Sequence, residues 1–474
     1  MTRPPVSSVT QAAQRAGGGL QGQAGNVSRS CPAVTLNIGV FFDGTGNNAA
    51  NTETAGRSSS YTSAKSNVAL LIPLYKSGSG HDQENTCGGI AVKYESIYVE
   101  GIGTTANWSD WWPSNRVGAA TGMGMTGVEA RVYGACLEVG EVITRLSPGV
   151  EPKEVILDVF GFSRGAAAAR YFVNCFRQGY IEYLAYYVDR RRASLPPGRK
   201  VRIRFVGIFD TVAAIGDGED DDNGAVNVHL AAAQADRIYH LTAMHEYRTN
   251  FRLNHNLPGG GEARQMLGAH SDVGGGYRGT GDRTRVGPAR SRNFASAAEA
   301  EAARRADVAT AAAARSDAAS FWVQDGWIRP NEPTGGLINA PSPVRPVTIP
   351  NRAGGSRTYY SYSTGAVLDR PWVQPGLSRI PLRVMYDQAR AAGVPFLDFL
   401  SGPEYALPAG LAQLAGSAAT GGPLPEGANR REILRNYGHV SSNHDSIGMA
   451  PQLGTGRQRM WHRTIYPNQP GRAK

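Results

Sequence analysis

The sequence predicts an α/β fold, built on a doubly wound, mostly parallel sheet with insertions. Short apolar runs rich in β-branched residues alternate with segments whose apolar residues recur at helical spacing. The 474 residues are 41% hydrophobic, which is enough to bury one large core or a core domain with insertions. Both observations indicate strands joined by helical crossovers.

The expected strands end at glycine or polar turns, as buried parallel strands do. The first runs from Val34 to Phe42 and stops at Gly44. The next lies within residues 90–104, and a crossover helix is expected within 125–146. Further strands are expected within 154–165, 201–216 and 263–277, and further helices directly after 165 and within 379–396.

The chain divides into a leader and one α/β domain. Residues 1–33 are polar and aperiodic, which predicts a flexible leader, and residues 34–474 are expected to form the domain. An Ala-rich insertion is expected around 280–340, followed by an irregular C-terminal region. The leader has no apolar h-region, and no run of 18 apolar residues occurs, so neither a Sec signal peptide nor a transmembrane helix is expected.

The net charge of +10 favours anionic partners such as phospholipid headgroups, although a solubilising surface charge explains it equally well. The basic residues are scattered and no nucleic-acid module is present, so no nucleic-acid partner is expected. Cys31, Cys87, Cys136 and Cys175 are widely spaced, which argues against a zinc site. Their disulfide state stays open.

The strongest local feature is the G-x-S-x-G segment from Gly161 to Gly165, centred on Ser163. It follows an apolar strand and precedes an Ala-rich helix, which is the strand–turn–helix setting of a nucleophile elbow. A glycine turn with a helix-capping serine is the plainer alternative. The sequence therefore predicts an α/β-hydrolase-type fold in which Ser163 is the nucleophile.

A serine nucleophile requires a base and an acid that orients the base. Asp210 ends a predicted strand, and His270 stands at the end of another, so both are expected near the active crevice. Asp272 is a rival acid and His444, near the C-terminus, a rival base. The order along the chain suits both Ser163–Asp210–His270 and Ser163–Asp272–His444, so order alone does not choose.

An acyl-transfer site also needs hydrogen-bond donors for the oxyanion. The backbone N–H groups of Arg164, which follows the nucleophile, and of Gly44, in the turn after the first strand, are the expected donors. An ordinary Asp-Gly turn accounts for Gly44 equally well.

Two other functions remain open at this point. A metal-dependent phosphohydrolase or nuclease would hold a divalent ion through Asp43, Asp210, His270 and Asp272. A non-catalytic adaptor would keep the fold without activity. The serine-hydrolase hypothesis expects no metal and no cofactor.

Two further segments carry weaker indications. The acidic run 217–222 would suit calcium, but it lacks EF-hand spacing and is more typical of a solvated loop. Trp108, Trp111 and Trp112 would suit a membrane interface, and a packing cluster is at least as good an explanation.

Six motifs occur in the order shown by a known family of α/β-hydrolase domains. They run from about residue 39 to about residue 390 and read VFFDGTGNN, YVEGIGT, GFSRGAAAAR, FVGIFDTVAAIG, GAHSDVGGGY and IPLRVMYDQA. With them the chain resembles the catalytic domain of the first class of type VI secretion lipase effectors. Any one motif is modest, but six in order are highly specific.

The resemblance implies a phospholipase A that acts on membrane glycerophospholipids. It implies synthesis in the cytoplasm, delivery by a secretion spike protein into a rival's periplasm, and inhibition by a cognate immunity protein. By position, it assigns the nucleophile to Ser163, the acid to Asp210 and the base to His270. The segment NHDS resembles a His-Asp-Ser element of related effectors, which keeps His444 as a rival base. The extra C-terminal domain of larger members is not evident.

Overall fold

The computed structural model describes most of the chain from Val34 onward. The described residues are 34–83, 91–148, 152–177, 201–216, 223–314, 321–330, 332, 334–350, 354–452 and 461–472. The predicted leader, Cys31, Cys87 and the acidic run 217–222 lie outside them. No described helix is long and apolar enough to cross a membrane.

The strands are numbered in chain order. They are β1 (Val34–Phe42), β2 (Ala91–Val99), β3 (Glu154–Phe162), β4 (Val201–Phe209), β5 (Arg237–Ala243), β6 (Leu253–Asn254), β7 (Glu262–Met266), β8 (Asp282–Arg285), β9 (Arg290–Phe294), β10 (Gly336–Asn339), β11 (Arg345–Pro350), β12 (Ser356–Thr364), β13 (Ala366–Arg370) and β14 (Ile465–Tyr466).

The α-helices are numbered in the same way. They are α1 (Ala49–Thr52), α2 (Ser59–Thr62), α3 (Asn67–Leu71), α4 (Pro113–Thr121), α5 (Val128–Leu146), α6 (Arg164–Arg177), α7 (His270–Gly274), α8 (Ala297–Ala314), α9 (Phe321–Gln324), α10 (Arg379–Ala391), α11 (Ala412–Ala419) and α12 (Gly427–Tyr437).

The central sheet is parallel throughout and confirms the predicted α/β class. Within the described residues its order is β2-β1-β3-β4-β5-β7. Strand β2 pairs with one edge of β1, and the next strand in sequence, β3, pairs with the opposite edge of β1. The strand order therefore reverses between β1 and β3, and in open α/β sheets the ligand crevice lies at the carboxyl ends of the strands at such a point.

Alternation along β1 divides the core into two layers, one on each face of the sheet. Leu36, Ile38 and Val40 face the layer that contains α5 and α6. Phe41 faces the opposite layer, where it stacks on Phe160 of β3 at a ring distance of 4.9 Å. The second layer also contains α3 and α10, so helices cover both faces of the sheet as the doubly wound prediction requires.

Strand β5 was not predicted from the sequence. Its apolar residues are interrupted by Arg237, His240 and Thr242, so no continuous apolar run marks it. His240 is nevertheless fully buried, because its Nε2 accepts the backbone N–H of Thr211 at 3.1 Å and its Nδ1 lies 3.1 Å from Oδ1 of Asn256. Partners distant in sequence thus satisfy a polar side chain inside the sheet.

The Ala-rich stretch around 280–340 contains the helix α8. Two small antiparallel sheets extend the region, with orders β10-β13-β8 and β11-β12-β9. Cys136 and Cys175 are free thiols, and burial raises the pKa of both, to about 12 for Cys175.

Candidate active site

The elbow forms where β3 turns directly into α6. Ser163 lies between them with φ of 59°, a left-handed conformation that is rare for a residue with a side chain. Hydrogen bonds hold its backbone on both sides: its N–H donates to the carbonyl of Phe209 at 3.1 Å, and its carbonyl accepts the N–H of Val212 at 3.4 Å. This is the strand–serine–helix turn that the sequence predicted.

Close backbone approaches explain the two glycines of the elbow. A Cβ atom at Gly161 would lie 2.6 Å from the carbonyl oxygen of Gly165. A Cβ atom at Gly165 would lie 2.2 Å from the carbonyl oxygen of Asp43, in the loop after β1. Glycine at these positions therefore lets the first turn of α6 lie against the loop that follows β1.

Asp210 directly follows β4. His270 is the first residue of α7, which a short turn separates from β7. The Nδ1 atom of His270 lies 2.5 Å from Oδ2 of Asp210, and both side chains are buried. The backbone N–H of Ala243 donates to the other carboxylate oxygen at 2.8 Å. The hydrogen bond between His270 and Asp210 orients the imidazole and leaves Nε2 as the nitrogen that can exchange a proton with a substrate or nucleophile.

Arg463, near the C-terminus, forms a two-pronged ion pair with Asp210. Its two Nη atoms lie 2.7 and 2.9 Å from the two carboxylate oxygens. Burial alone would raise the pKa of Asp210, but the charge of Arg463 and the hydrogen bond from His270 outweigh burial and hold that pKa well below its ordinary value. The carboxylate is therefore ionised at neutral and mildly acidic pH.

Two aromatic rings flank the imidazole of His270. The ring of Phe162, the residue before Ser163, lies 4.6 Å away, and the ring of Phe251 meets it edge-on at 5.0 Å. Burial lowers the pKa of His270 and outweighs the hydrogen bond and charge of Asp210, which raise it. The imidazole is therefore neutral at pH 7 and able to accept a proton.

A second buried ion pair supports the start of α7. Glu246 accepts the backbone N–H of His270 at 3.3 Å and pairs with Arg248 at 2.8 Å. Burial would raise the pKa of Glu246, but Arg248 reverses the effect and lowers it to about 2. The Arg248 guanidinium in turn lies 3.2 Å from the ring centroid of Phe251, which holds that ring against the imidazole.

Asp272, the rival acid, is engaged elsewhere. Its Oδ1 lies 2.8 Å from Nδ1 of His439. Its Oδ2 accepts the backbone N–H groups of Ala269 at 2.9 Å and of His439 at 2.8 Å. The carboxylate thus caps its own helix and ties that helix to the C-terminal region.

His444, the rival base, is half-buried beside β8. Its backbone N–H donates to the carbonyl of Arg285 at 3.0 Å, and Oδ1 of the next residue, Asp445, lies 2.9 Å from Nε of Arg285. The structure therefore pairs Asp210 with His270 at the carboxyl edge of the sheet, and neither rival takes part in that pair.

The loop after β1 differs in detail from the expectation for the oxyanion donors. The N–H of Gly44 donates to Oδ1 of Asp43 at 2.7 Å, and the Tyr98 hydroxyl donates to the other oxygen at 2.7 Å. The buried hydroxyl oxygen of Thr45 has no hydrogen-bond partner among the described residues. Arg164 is the first residue of α6, so its backbone N–H is one of the donors that have no partner within the helix.

The four residues of the metal-dependent alternative do not gather into one ligand set. Asp43 and Asp272 have the partners given above, and Arg463 covers both oxygens of Asp210. Within the described residues, no three His, Cys, Asp or Glu side chains lie together in a way that could hold a metal ion.

Sequence reasoning missed Arg463, Glu246 and Arg248. Arg463 lies 253 residues beyond its partner Asp210, and no local pattern marks it. Glu246 and Arg248 follow β5, the strand that was also missed. Charged residues shortly after a buried strand are a signal for such a site, since the carboxyl ends of parallel strands converge on the crevice. That signal required β5 to be recognised first.

A parallel sheet with a serine elbow at the reversal of strand order, and with a buried His–Asp pair beyond the carboxyl ends of β4 and β7, defines an α/β-hydrolase-type protein. The chain belongs, more narrowly, to the family described as "T6SS, Phospholipase effector Tle1-like, catalytic domain". The match covers residues 37–182 and 177–291, which is more than half of the chain. The resemblance drawn from the six motifs is thereby confirmed. No protein of curated function matches the chain.

Solved structures that match the chain include the following two, of which the first is similar in fold. One is described as the structure of the Tle1 effector bound to the VgrG spike from the type 6 secretion system. It has 24% sequence identity and a TM-score of 0.61, over 87% of this chain and 85% of that one. The other, an uncharacterized protein from Pseudomonas aeruginosa, has 20% identity and a TM-score of 0.39, over 86% of this chain and 53% of its own length.

Proposed function

We propose that this protein is a serine phospholipase A that hydrolyses the ester bonds of membrane glycerophospholipids. The observation that carries the proposal is the 2.5 Å hydrogen bond between His270 and Asp210, at the edge of the sheet where Ser163 forms the elbow. Membership of a phospholipase effector family supports the reaction class.

In the proposed mechanism, the Ser163 hydroxyl attacks the acyl carbonyl carbon while Nε2 of His270 takes its proton. The new imidazolium is stabilised by the ionised carboxylate of Asp210. The tetrahedral intermediate collapses as Nε2 returns the proton to the departing alcohol oxygen, which leaves an acyl-enzyme and a lysophospholipid. Water, activated by the same nitrogen, then releases the fatty acid and restores the serine.

The oxyanion is assigned to the start of α6 and the loop after β1. The N–H of Arg164 is one donor, because it lies at a helix N-terminus where negative charge is favoured. Since the N–H of Gly44 is engaged with Asp43, we assign the contribution of the loop to the hydroxyl of Thr45, which is buried without a partner among the described residues.

The test of the nucleophile is labelling with a fluorophosphonate probe, which reacts with activated serines. The native protein should be labelled and Ser163→Ala should not. In parallel, mass spectrometry of mixed phospholipids should find fatty acids and lysophospholipids with native protein only. Equal labelling of the two proteins would end the serine-hydrolase proposal.

We further propose that the protein is an antibacterial effector of type VI secretion that acts in the target cell's periplasm. The structure of the similar Tle1 effector contains the VgrG spike, which supports a spike protein as the carrier of this chain. A cognate immunity protein would block the site. Expression directed to the periplasm should be toxic and cytoplasmic expression much less so; toxicity confined to the cytoplasm would point to a different target.

A further inference from the structure

Exposed large apolar side chains are concentrated in one short stretch of the described chain. Five of them fall within residues 111–125, at exposed fractions from 42% to 71%. They are Trp111, Trp112, Val117, Met123 and Met125. Single exposed apolar residues are ordinary, whereas several that share a surface mark a site of interaction.

The 3-10 turn that follows α4, Gly124–Thr126, packs against that helix. Val117 lies in α4, the two tryptophans directly precede it and the two methionines lie at the turn, so the surface around α4 carries all five. The Thr126 hydroxyl donates to the carbonyl of Ser114 at 2.9 Å. A Cβ atom at Gly124, between the two methionines, would lie 3.6 Å from Cγ1 of Val117. We call this surface the apolar rim.

The apolar rim also carries a cation. The Arg116 side chain is exposed, and its guanidinium lies 5.7 Å from the ring centroid of Trp111. The nearest acidic residue in sequence, Asp110, is half-buried, and its carboxylate accepts the hydroxyl of Ser60 at 2.6 Å and that of Ser59 at 3.1 Å. Of the two charges beside the tryptophans, the more exposed is therefore the positive charge of Arg116.

The apolar rim is attached directly to the elbow. Arg164, the residue after Ser163, donates from its guanidinium to the carbonyls of Gly118 at 3.2 Å and Ala119 at 2.6 Å, in the last turn of α4. The half-buried Arg164 cation is favoured at this helix C-terminus, where it supplies a donor to the Ala119 carbonyl and a second donor to the Gly118 carbonyl, which also accepts the backbone N–H of Gly122. It also links the position of α4 to that of the nucleophile.

Resting on the proposed function, we propose that the apolar rim is the surface by which the protein docks on an anionic glycerophospholipid bilayer. Tryptophan is suited to the membrane interface because its ring is largely apolar and its N–H is polar. Arg116 complements anionic headgroups, in keeping with the net charge of +10. Because Arg164 joins α4 to the elbow, docking at the rim would bring the bilayer to the part of the molecule that carries Ser163.

The test measures vesicle binding in a Ser163→Ala background, so that no hydrolysis is needed. The vesicles contain phosphatidylglycerol and phosphatidylethanolamine, and binding is followed by co-sedimentation. Trp111→Ser with Met125→Ser removes the two most exposed members of the rim, and we expect the partition coefficient to fall at least about tenfold. Ile349→Ser with Ile447→Ser, exposed by 51% and 99% away from the rim, is the matched control and should bind unchanged.

Two further measurements sharpen the result. Arg116→Gln should weaken binding about fivefold at low salt and make little difference at high salt, because headgroup attraction is screened. Lipids brominated on the acyl chain should quench tryptophan fluorescence in the Ser163→Ala protein and much less after Trp111→Ser. Unfolding midpoints should match among variants, since the changed side chains are exposed.

Vesicle binding that is equal for the rim variant and the parent would overturn the proposal, and the exposed rim would then be a protein-binding surface. Because the Ser163→Ala background is inactive, this result is independent of the fluorophosphonate and lipid-hydrolysis tests. Failure of those tests would remove the proposed function without changing the result for the rim.

Discussion

Two buried aspartate–histidine pairs lie close together in this fold, and their comparison shows what makes one of them a candidate for catalysis. In the first, Asp210 meets Nδ1 of His270 at 2.5 Å, and in the second, Asp272 meets Nδ1 of His439 at 2.8 Å. All four side chains are buried. Residue type, separation and burial therefore do not distinguish the pairs.

The other contacts of each pair do distinguish them. The second carboxylate oxygen of Asp272 accepts two backbone N–H groups. The ring of Tyr277 stacks on the imidazole of His439, with the ring centroids 3.8 Å apart. That pair is closed and joins two segments of the chain. The imidazole of His270 instead lies beside Phe162, directly before the elbow serine. Position relative to a nucleophile, and not the pairing itself, separates a candidate catalytic pair from a structural one.

The strongest test of this comparison is Asp210→Asn. We expect kcat to fall by about three to four orders of magnitude, because the imidazole loses both its correct tautomer and the countercharge for its protonated form. The measurement is turnover of a phospholipid substrate, with circular dichroism to confirm folding. Near-native turnover in Asp210→Asn together with an inactive Asp272→Asn would reverse the assignment of the two pairs.

Asp272→Asn should act mainly on stability. We expect the free energy of unfolding to fall by about 1–3 kcal/mol, because a buried carboxylate that accepts three hydrogen bonds is replaced by a weaker acceptor. Turnover of the folded protein should remain within a few-fold of native. Denaturant titration measures the first effect and initial rates the second; unchanged stability would remove the structural role from this pair.

Arg463→Gln probes the cation that distinguishes the first carboxylate. Without the Arg463 guanidinium, the negative charge of Asp210 acts on His270 with less opposition, although Arg248 still lowers the pKa of His270, so that pKa should rise. The neutral imidazole is the base, so activity falls as the pH is lowered through the pKa of His270. In Arg463→Gln this loss should begin at a higher pH, and the acidic limb of the pH–rate profile should move upward by about one pH unit. Arg463→Lys, which keeps the charge, should leave the limb nearer to native. Reduced stability with an unmoved limb would mean that the arginine is only structural.

The smallest effect is expected for His444→Gln. The side chain is half-buried, and the hydrogen bond to Arg285 uses the backbone of His444, which the substitution keeps. Stability should change by less than about 0.5 kcal/mol, and kcat should stay within about twofold. A loss of several orders of magnitude in kcat would restore His444 as the base and remove His270.

The elbow was predictable because its causes are local. A buried β-branched strand, small residues around Ser163 and an Ala-rich helix are all encoded within about 20 neighbouring residues. The strand β5 was not predictable in this way. The burial of His240 there depends on Thr211 and Asn256, which lie 29 and 16 residues away.

By itself, the sequence determined the sheet class, the strand–serine–helix elbow and a short set of candidate acids and bases in an acceptable order. It left Asp210 and Asp272, and His270 and His444, as alternatives, because both sets share that order. Only the tertiary structure decided which carboxylate meets which imidazole, and that Arg463 completes the first pair. The reason is physical: a hydrogen bond requires heavy atoms within about 3.2 Å in space, and separation along the chain does not specify that distance.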